Sequence, residues 1–218
     1  MKICTFNIQH CVRTAPGLIG KYIKELNIDI AVLQEVDKYA ARSNYIDQVE
    51  VIKENAGMGF AAFYSCLKFK DGGEYGIALL TKNTPISIEV LNLSVKGDRE
   101  PRGAILLKTA DQNKEFYCCG THLSTISKYA KMQLEKTLYS LENRKLPWIL
   151  AGDFNIEDTK ELRPDASFEA NSLPTWPVDN PQKKIDHVLC SETFKNRVKS
   201  QVVCNEALSD HCILVANF

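Results

Sequence analysis

At 218 residues the chain can bury a full hydrophobic core, and with no Gly/Ser-rich or Pro-rich linker it reads as one domain over residues 1–218. Its 27 Lys and Arg balance 27 Asp and Glu, which excludes a global field that draws the protein to nucleic acid or an anionic membrane, while leaving room for a local basic groove. No apolar stretch approaches the ~18 residues that span a bilayer. The start, Lys2-Ile3-Cys4-Thr5-Phe6, is strand-like and lacks the features of a secretory signal, so the expected address is the cytoplasm.

Residues 2–8 read as a buried strand, and Leu18, Ile19, Tyr22, Ile23 and Leu26 fall on one face of a helix near 17–26. A second buried strand, Ile28 to Gln34, ends at Glu35, and a helix over 46–56 is closed by Gly57 and Gly59. From Phe60 to His122, runs at 60–66, 75–81, 86–93, 102–109 and 115–121 alternate with turns at Asp71-Gly72-Gly73, Asn83-Thr84-Pro85, Lys96-Gly97-Asp98 and Asp111-Gln112-Asn113. Strands so closely spaced are expected to pair antiparallel. Residues 127–143 form the most regular helix, with Ala130, Leu134, Leu138 and Leu141 inward and Lys131 placed to pair with Glu135. A strand at 147–152 follows, then an irregular segment over 156–183 with Pro164, Pro174, Pro177 and Pro181, a length uncommon in a compact domain unless it serves a site. Strands near 185–190, 199–204 and 212–217 close the chain. This order points to an α/β (α+β) fold in which two sheets pack together with helices outside each. The eight cysteines have no Cys-x-x-Cys spacing and mostly sit inside apolar runs, so all are expected to be reduced core residues.

Six apolar runs meet a polar residue that could converge on one place: Asn7, Glu35, His122, Asp153 with Asn155, Asp186, and Asp210 with His211. Each has an ordinary structural explanation when taken singly. Glu35 reads equally as a solvated loop acid, His122 as a satisfied core histidine, and Asp153 or Asn155 as a local cap. Their joint pattern favours a site, because strand ends are rigid places from which a sheet presents several groups together. The acids supply hard oxygen ligands suited to Mg²⁺ or Mn²⁺, whereas four histidines and scattered cysteines suit zinc poorly.

The motifs that hold these residues are Thr5-Phe6-Asn7-Ile8, Leu33-Gln34-Glu35-Val36, Thr121-His122-Leu123, Gly152-Asp153-Phe154-Asn155, Ile185-Asp186-His187-Val188 and Ser209-Asp210-His211. In this order, and over residues 3–217, the chain resembles the endonuclease/exonuclease/phosphatase superfamily of metal-dependent phosphoesterases. The superfamily includes deoxyribonuclease I, apurinic endonucleases, inositol-phosphate 5-phosphatases and sphingomyelinases. The resemblance implies a four-layer sandwich of two packed mixed, largely antiparallel sheets with helices on the outer faces. It makes Glu35 the principal metal ligand, with Asn7 close by and Asp210 completing the shell. It gives Asp153 the attacking water, with Asn155 fixing its geometry. His211, oriented by Asp186, and His122 would contact phosphoryl oxygens. The residue types suit that chemistry on their own account: a phosphodiester anion repels hydroxide, so a site must neutralise charge and hold water in line with the leaving oxygen.

Three further positions are candidate substrate contacts, each with an ordinary alternative. Tyr75 is a phosphate-contacting group or a strand aromatic. Arg102 is a planar fork for phosphate or the partner of Glu100. Trp176 is a stacking surface or a residue that pins the long loop. Lys183 and Lys184 sit at the expected cleft mouth, and no lysine run or arginine-rich loop marks a duplex track. The expected partner is therefore a phosphoester substrate of modest size, with nucleic acid compatible but not indicated by charge, and nothing in the residues marks an oligomer. A nuclease of the same mechanism and a non-catalytic binding module are the alternative readings.

Overall fold

Strand β1 (Lys2–Asn7) is buried along nearly its whole length, as befits a central strand covered on both faces. Helix α1 (Pro16–Glu25) carries the chain back, so β1 and β2 (Ile30–Lys38) pair in parallel with Asn7 opposite Gln34. Helix α2 (Gln48–Ala56) starts where the Asp47 side chain accepts the Glu50 amide at 3.2 Å and stops at Gly57, whose φ of +68° lets it close the last turn. β3 (Phe60–Lys68) and β4 (Glu74–Thr81) form a hairpin, as do β6 (Gly103–Asp111) and β7 (Lys114–His122), while β5 (Ser87–Asn92) pairs antiparallel with β6. Helix α3 (Ser127–Glu142) is a second crossover, joining β7 to its parallel neighbour β8 (Trp148–Asp153). A three-residue strand β9 (Ser167–Glu169), then β10 (Asp186–Ser191), β11 (Lys199–Val203) and β12 (Ile213–Asn217) complete the set. This computed structural model describes residues 1–70, 72–162 and 167–218; Asp71 and Pro164 lie outside the described residues.

The strands form two six-stranded sheets, ordered β11-β12-β1-β2-β4-β3 and β5-β6-β7-β8-β10-β9. Period-two alternation divides their side chains among layers. Ala31, Leu33, Ala78 and Leu80 face α1 and α2, whereas Val32, Ile77, Leu79, Ile105 and Leu107 fill the space between the sheets. On the far side Ala104, Leu106 and Leu150 meet Ala130, Leu134, Leu138 and Leu141 of α3. The result is the expected four-layer α/β sandwich, helices outside two mixed sheets. No helix among the described residues is long and apolar enough to cross a membrane.

The architecture departs from expectation at four places. Leu18 is 49% exposed, because α1 buries Pro16, Ile19, Gly20 and Ile23 instead. Glu35 lies inside β2 at a bulge between Leu33 and Val36, with φ of +57°, and the strand runs on to Lys38. The short β9 interrupts the irregular segment. Finally, Cys204 and Cys212 form a disulfide, while Cys4, Cys11, Cys66, Cys118, Cys119 and Cys190 are free. The register explains the pair: Val203 lies opposite Ile213, so the next residues out, Cys204 and Cys212, face each other where β11 and β12 part.

Gly152 shows why the motif before Asp153 needs a residue without a side chain. A Cβ there would lie 2.2 Å from the Thr121 carbonyl oxygen on the adjacent parallel strand, a backbone atom that cannot step aside. Gly152→Ala is expected to cost about 1–3 kcal/mol as β7 and β8 are forced apart, read as a lower denaturant midpoint at unchanged slope.

Candidate active site

The two parallel pairs decide where the polar residues go. The C-terminal ends of β1, β7 and β8 and the N-terminal ends of β4, β10 and β12 all lie at one end of the sandwich, with His122 opposite Asp153 and Asp153 opposite Asp186. Asn7 comes from one sheet and Asp153 from the other, and the Asn7 Nδ2 donates to both Glu35 Oε1 (3.2 Å) and Asp153 Oδ2 (3.1 Å). The Asn7 oxygen accepts from the Gln9 amide at 3.0 Å. Asp153, Asp186, His122, His211 and Asn7 are buried, and Glu35 is half-buried.

His211 Nδ1 lies 2.9 Å from Asp186 Oδ2, and its Nε2 faces Asp153 Oδ2 at 3.9 Å. The Asp186 carboxylate thereby fixes the ring, with the proton on Nδ1. Burial alone would lower the His211 pKa, but Asp186, then Asp153 and Asp210, outweigh it and raise it to about 10. Asp153 moves the other way for a carboxylate: burial and then the neighbouring Asp186 charge raise it to about 7, against the pull of His211, Asn7 and the Asn155 amide. Its Oδ1 accepts that amide at 3.0 Å. The His122 Nε2 sits 3.5 Å from Asp153 Oδ2 and 3.4 Å from Asn155 Nδ2, and burial beside Arg102 holds this ring neutral. Burial would raise the Glu35 pKa, but the facing His10, then His122 and Asn7, outweigh it and lower it. The His10 Nδ1 stands 3.8 Å from Glu35 Oε2, too far for a hydrogen bond.

The loop carrying Asp210 and His211 is held from several sides. Ser209 Oγ donates to the Asn7 carbonyl at 2.7 Å, Arg13 reaches the Ser209 carbonyl at 3.2 Å, and the Val178 amide donates to the Asp210 carbonyl at 2.8 Å. The Asp210 carboxylate accepts from Trp176 Nε1 at 3.4 Å and lies 3.3 Å from Ser209 Oγ. Trp176 and Lys183 line the main cleft, of about 620 Å³, with the Lys183 Nζ 5.4 Å from the indole ring. Lys131 also lines it, and no ion pair with Glu135 is found among the described residues. Tyr75 lies instead in a smaller cavity beside Glu35, and the buried Arg102 pairs with Glu100 at 3.1 Å and lines neither space.

The donors suit a hard divalent cation. Asp153, Asp186 and His211 offer ligating atoms within 4.8 Å of one another, and Asp186 Oδ1 is buried without a hydrogen-bond partner. The sequence did not mark His10, although it lies only three residues after Asn7, nor the cleft residues Thr125, Ser127, Glu157 and Asp158.

A family model described as "Endonuclease/Exonuclease/phosphatase family" matches residues 4–211, nearly the whole chain. The chain belongs to the endonuclease/exonuclease/phosphatase family. Its fold is shared by solved structures of low sequence identity. A family member from Bacteroides vulgatus is 18% identical with a TM-score of 0.78, covering 99% of this chain and 97% of that one. Truncated Caenorhabditis elegans TDP2 is 19% identical with a TM-score of 0.75, covering 100% and 96%. The mannosyl-6-phosphatase Bt3783 of Bacteroides thetaiotaomicron is 16% identical with a TM-score of 0.71, covering 100% and 98%. Members of this endonuclease/exonuclease/phosphatase family are hydrolases of phosphoester bonds.

One wall of the cleft rests on a largely buried polar cluster. The His187 Nε2 is 2.6 Å from the Ile156 carbonyl and its Nδ1 is 2.6 Å from Glu169 Oε1, which also accepts from Lys184 at 2.7 Å. Burial would raise Glu169, but His187 and then Lys184 bring it from 4.5 to about 2. A depressed carboxylate stabilises the fold above its unfolded pKa and loses that contribution as pH falls through the folded one. Wild type is therefore expected to lose stability between about pH 4.5 and 2, and Glu169→Gln to start less stable at neutral pH and show a flatter decline over that window in urea melts.

Proposed function

We propose that the chain is a divalent-metal-dependent hydrolase, acting as one unit over residues 1–218, that cleaves a phosphodiester or phosphomonoester of modest size by in-line attack of an activated water. The observation that carries this reading is the facing arrangement of Asp153 and the Asp186-bound His211 at one buried end of the sandwich. One carboxylate raised to about 7 and one imidazole raised to about 10 supply a base and a proton donor side by side.

Glu35 is the proposed principal ligand of Mg²⁺ or Mn²⁺, with Asn7 beside it and Asp210 completing the shell. When bound, the ion neutralises charge on the phosphoryl oxygens. Asp153 accepts a proton from the attacking water, and Asn155, tied to the Leu123 carbonyl at 3.1 Å, fixes the direction of attack. His211 directs Nε2–H at a phosphoryl oxygen while Asp186 prevents the ring from turning. The neutral His122 donates to a second oxygen. Trp176 and Lys183 form the wall against which the remainder of the substrate lies. The two lysines of the cleft, Lys131 and Lys183, are offset by Glu157 and Asp158, which supports a modest substrate over a duplex.

The test is hydrolysis of activated phosphoesters and of intact, nicked and abasic DNA with Mg²⁺ and with Mn²⁺. Asp153→Asn and His211→Ala are each expected to lower kcat by at least ~10²-fold. Glu35→Gln is expected mainly to raise the metal concentration at half-maximal rate. Near-wild-type kcat in either of the first two variants would remove those residues from the chemistry, and preferential cleavage of DNA would make the protein a nuclease.

A further inference from the structure

The four sheet edges are not alike. An edge strand offers unpaired N–H and C=O groups to any other strand, and proteins blunt it by shortening, bulging or charging it. β9 is three residues long, β3 is bulged between Ser65 and Leu67, and β11 exposes Lys199 and Gln201. β5 runs for six residues in unbroken register with β6, and it presents a row of exposed β-branched side chains: Ile86 (55% exposed), Ile88 (46%) and Val90 (55%). Ile88 and Val90 lie opposite Leu107 and Ile105, which fill the space between the sheets, but the facing sheet ends at β3 and leaves these two uncovered.

The one charged residue of β5 does not guard this edge. Glu89 alternates to the other face of the sheet, where its carboxylate takes both arms of the Arg144 fork at 2.7 and 2.8 Å. The backbone alternates as well. The Leu93 amide donates to the Arg102 carbonyl at 2.8 Å, so Ser87, Glu89 and Leu91 turn their N–H and C=O to β6, and Ile88 and Val90 turn theirs to solvent. At the end of the strand Lys136 Nζ takes the outward Asn92 carbonyl at 2.8 Å.

We propose that this edge is a dimer interface, in which β5 pairs antiparallel with β5 of a second copy of the chain about a twofold axis at Ile88. Three positions of the axis keep the outward backbone groups paired, and charge selects among them. An axis at Glu89 sets the two Glu89 side chains against each other, and like charges directly opposite destabilise a sheet. An axis at Val90 brings Ile88 to Asn92, a polar residue whose carbonyl is already taken. An axis at Ile88 sets Ile88 against its own copy, Val90 against Ile86 and Glu89 against Ser87, so apolar meets apolar and no like charges meet. A contact of this isologous kind closes on itself and stops at two copies. β6 and β7 separate β5 from β8, so the main cleft of each copy stays open. The antiparallel pairing turns the two clefts to opposite ends of the joined sheet.

Sedimentation equilibrium of the full chain, over a concentration series reaching ~100 µM, is expected to give twice the mass of one chain. Ile88→Lys sets like charges on the axis at an exposed position, and it is expected to weaken dimerisation by at least ~10²-fold with an unchanged circular dichroism spectrum. Ile88→Cys is expected to link two copies on mild oxidation, because residues directly opposite stand about 5.5 Å apart at Cα, within reach of a disulfide. Val90→Cys, which faces Ile86 of the second copy, is expected not to link. A wild type that stays monomeric throughout the series overturns the proposal and leaves the edge to a strand of another protein or to solvent. A folded Ile88→Lys that dimerises like wild type overturns it, and so does a Val90→Cys that links as readily as Ile88→Cys. Should Ile88→Lys fail to fold, the two cysteine variants decide.

Discussion

Too much negative charge in too small a buried space is the constraint on which the rest of this molecule depends. Glu35, Asp153 and Asp186 gather at one end of the sandwich, and carboxylates removed from water repel one another strongly. The fold answers with donors from both sheets. The Asn7 amide joins Glu35 to Asp153, the Asn155 amide takes the other Asp153 oxygen, and His211 answers Asp186. These leave Asp186 Oδ1 unanswered and Asp153 with a strongly raised pKa. A metal ion and a phosphoryl group are the natural complements of such a residue set: the first cancels charge, and the second receives the donors.

The same constraint explains why the supporting loops are so firmly tied. Groups that repel need backbones that do not yield. The loop bearing Asp210 and His211 is closed by the Cys204–Cys212 disulfide and bonded to β1, to Arg13 and to Val178. Within the segment before β10, His187 joins Ile156 to Glu169 through its two nitrogens, partners 13 positions apart in sequence. At Ile156 and Glu169 side-chain bonds stand in for missing ladder bonds.

Much of this was legible in the residues. Strongly buried strands such as β1, β2 and β8 announce themselves as apolar runs, and polar residues at their tips, in the order of a known family, place Asn7, His122 and Asp153 correctly at one end. What was hidden depends on register and on facing. The disulfide required knowing that Val203 pairs with Ile213. Arg102 stands just before β6, and only its direction reveals that it turns inward to pair with Glu100. Leu18 looks inward by spacing until α1 meets α2 through Ile19, Gly20 and Ile23. His10 follows a strand end with no periodicity to mark it, and its approach to Glu35 exists only because the chain turns left-handed over Gln9, His10 and Cys11.

The bulge at Glu35 places a long, charged side chain where the backbone is most at ease with none. A left-handed φ at an L-residue costs about 1–2 kcal/mol, and glycine escapes that cost. Folding alone would favour glycine at this position, so the glutamate is carried at a cost in stability. A version of the protein optimised only to withstand heat would be expected to gain robustness at this one residue by giving up the carboxylate.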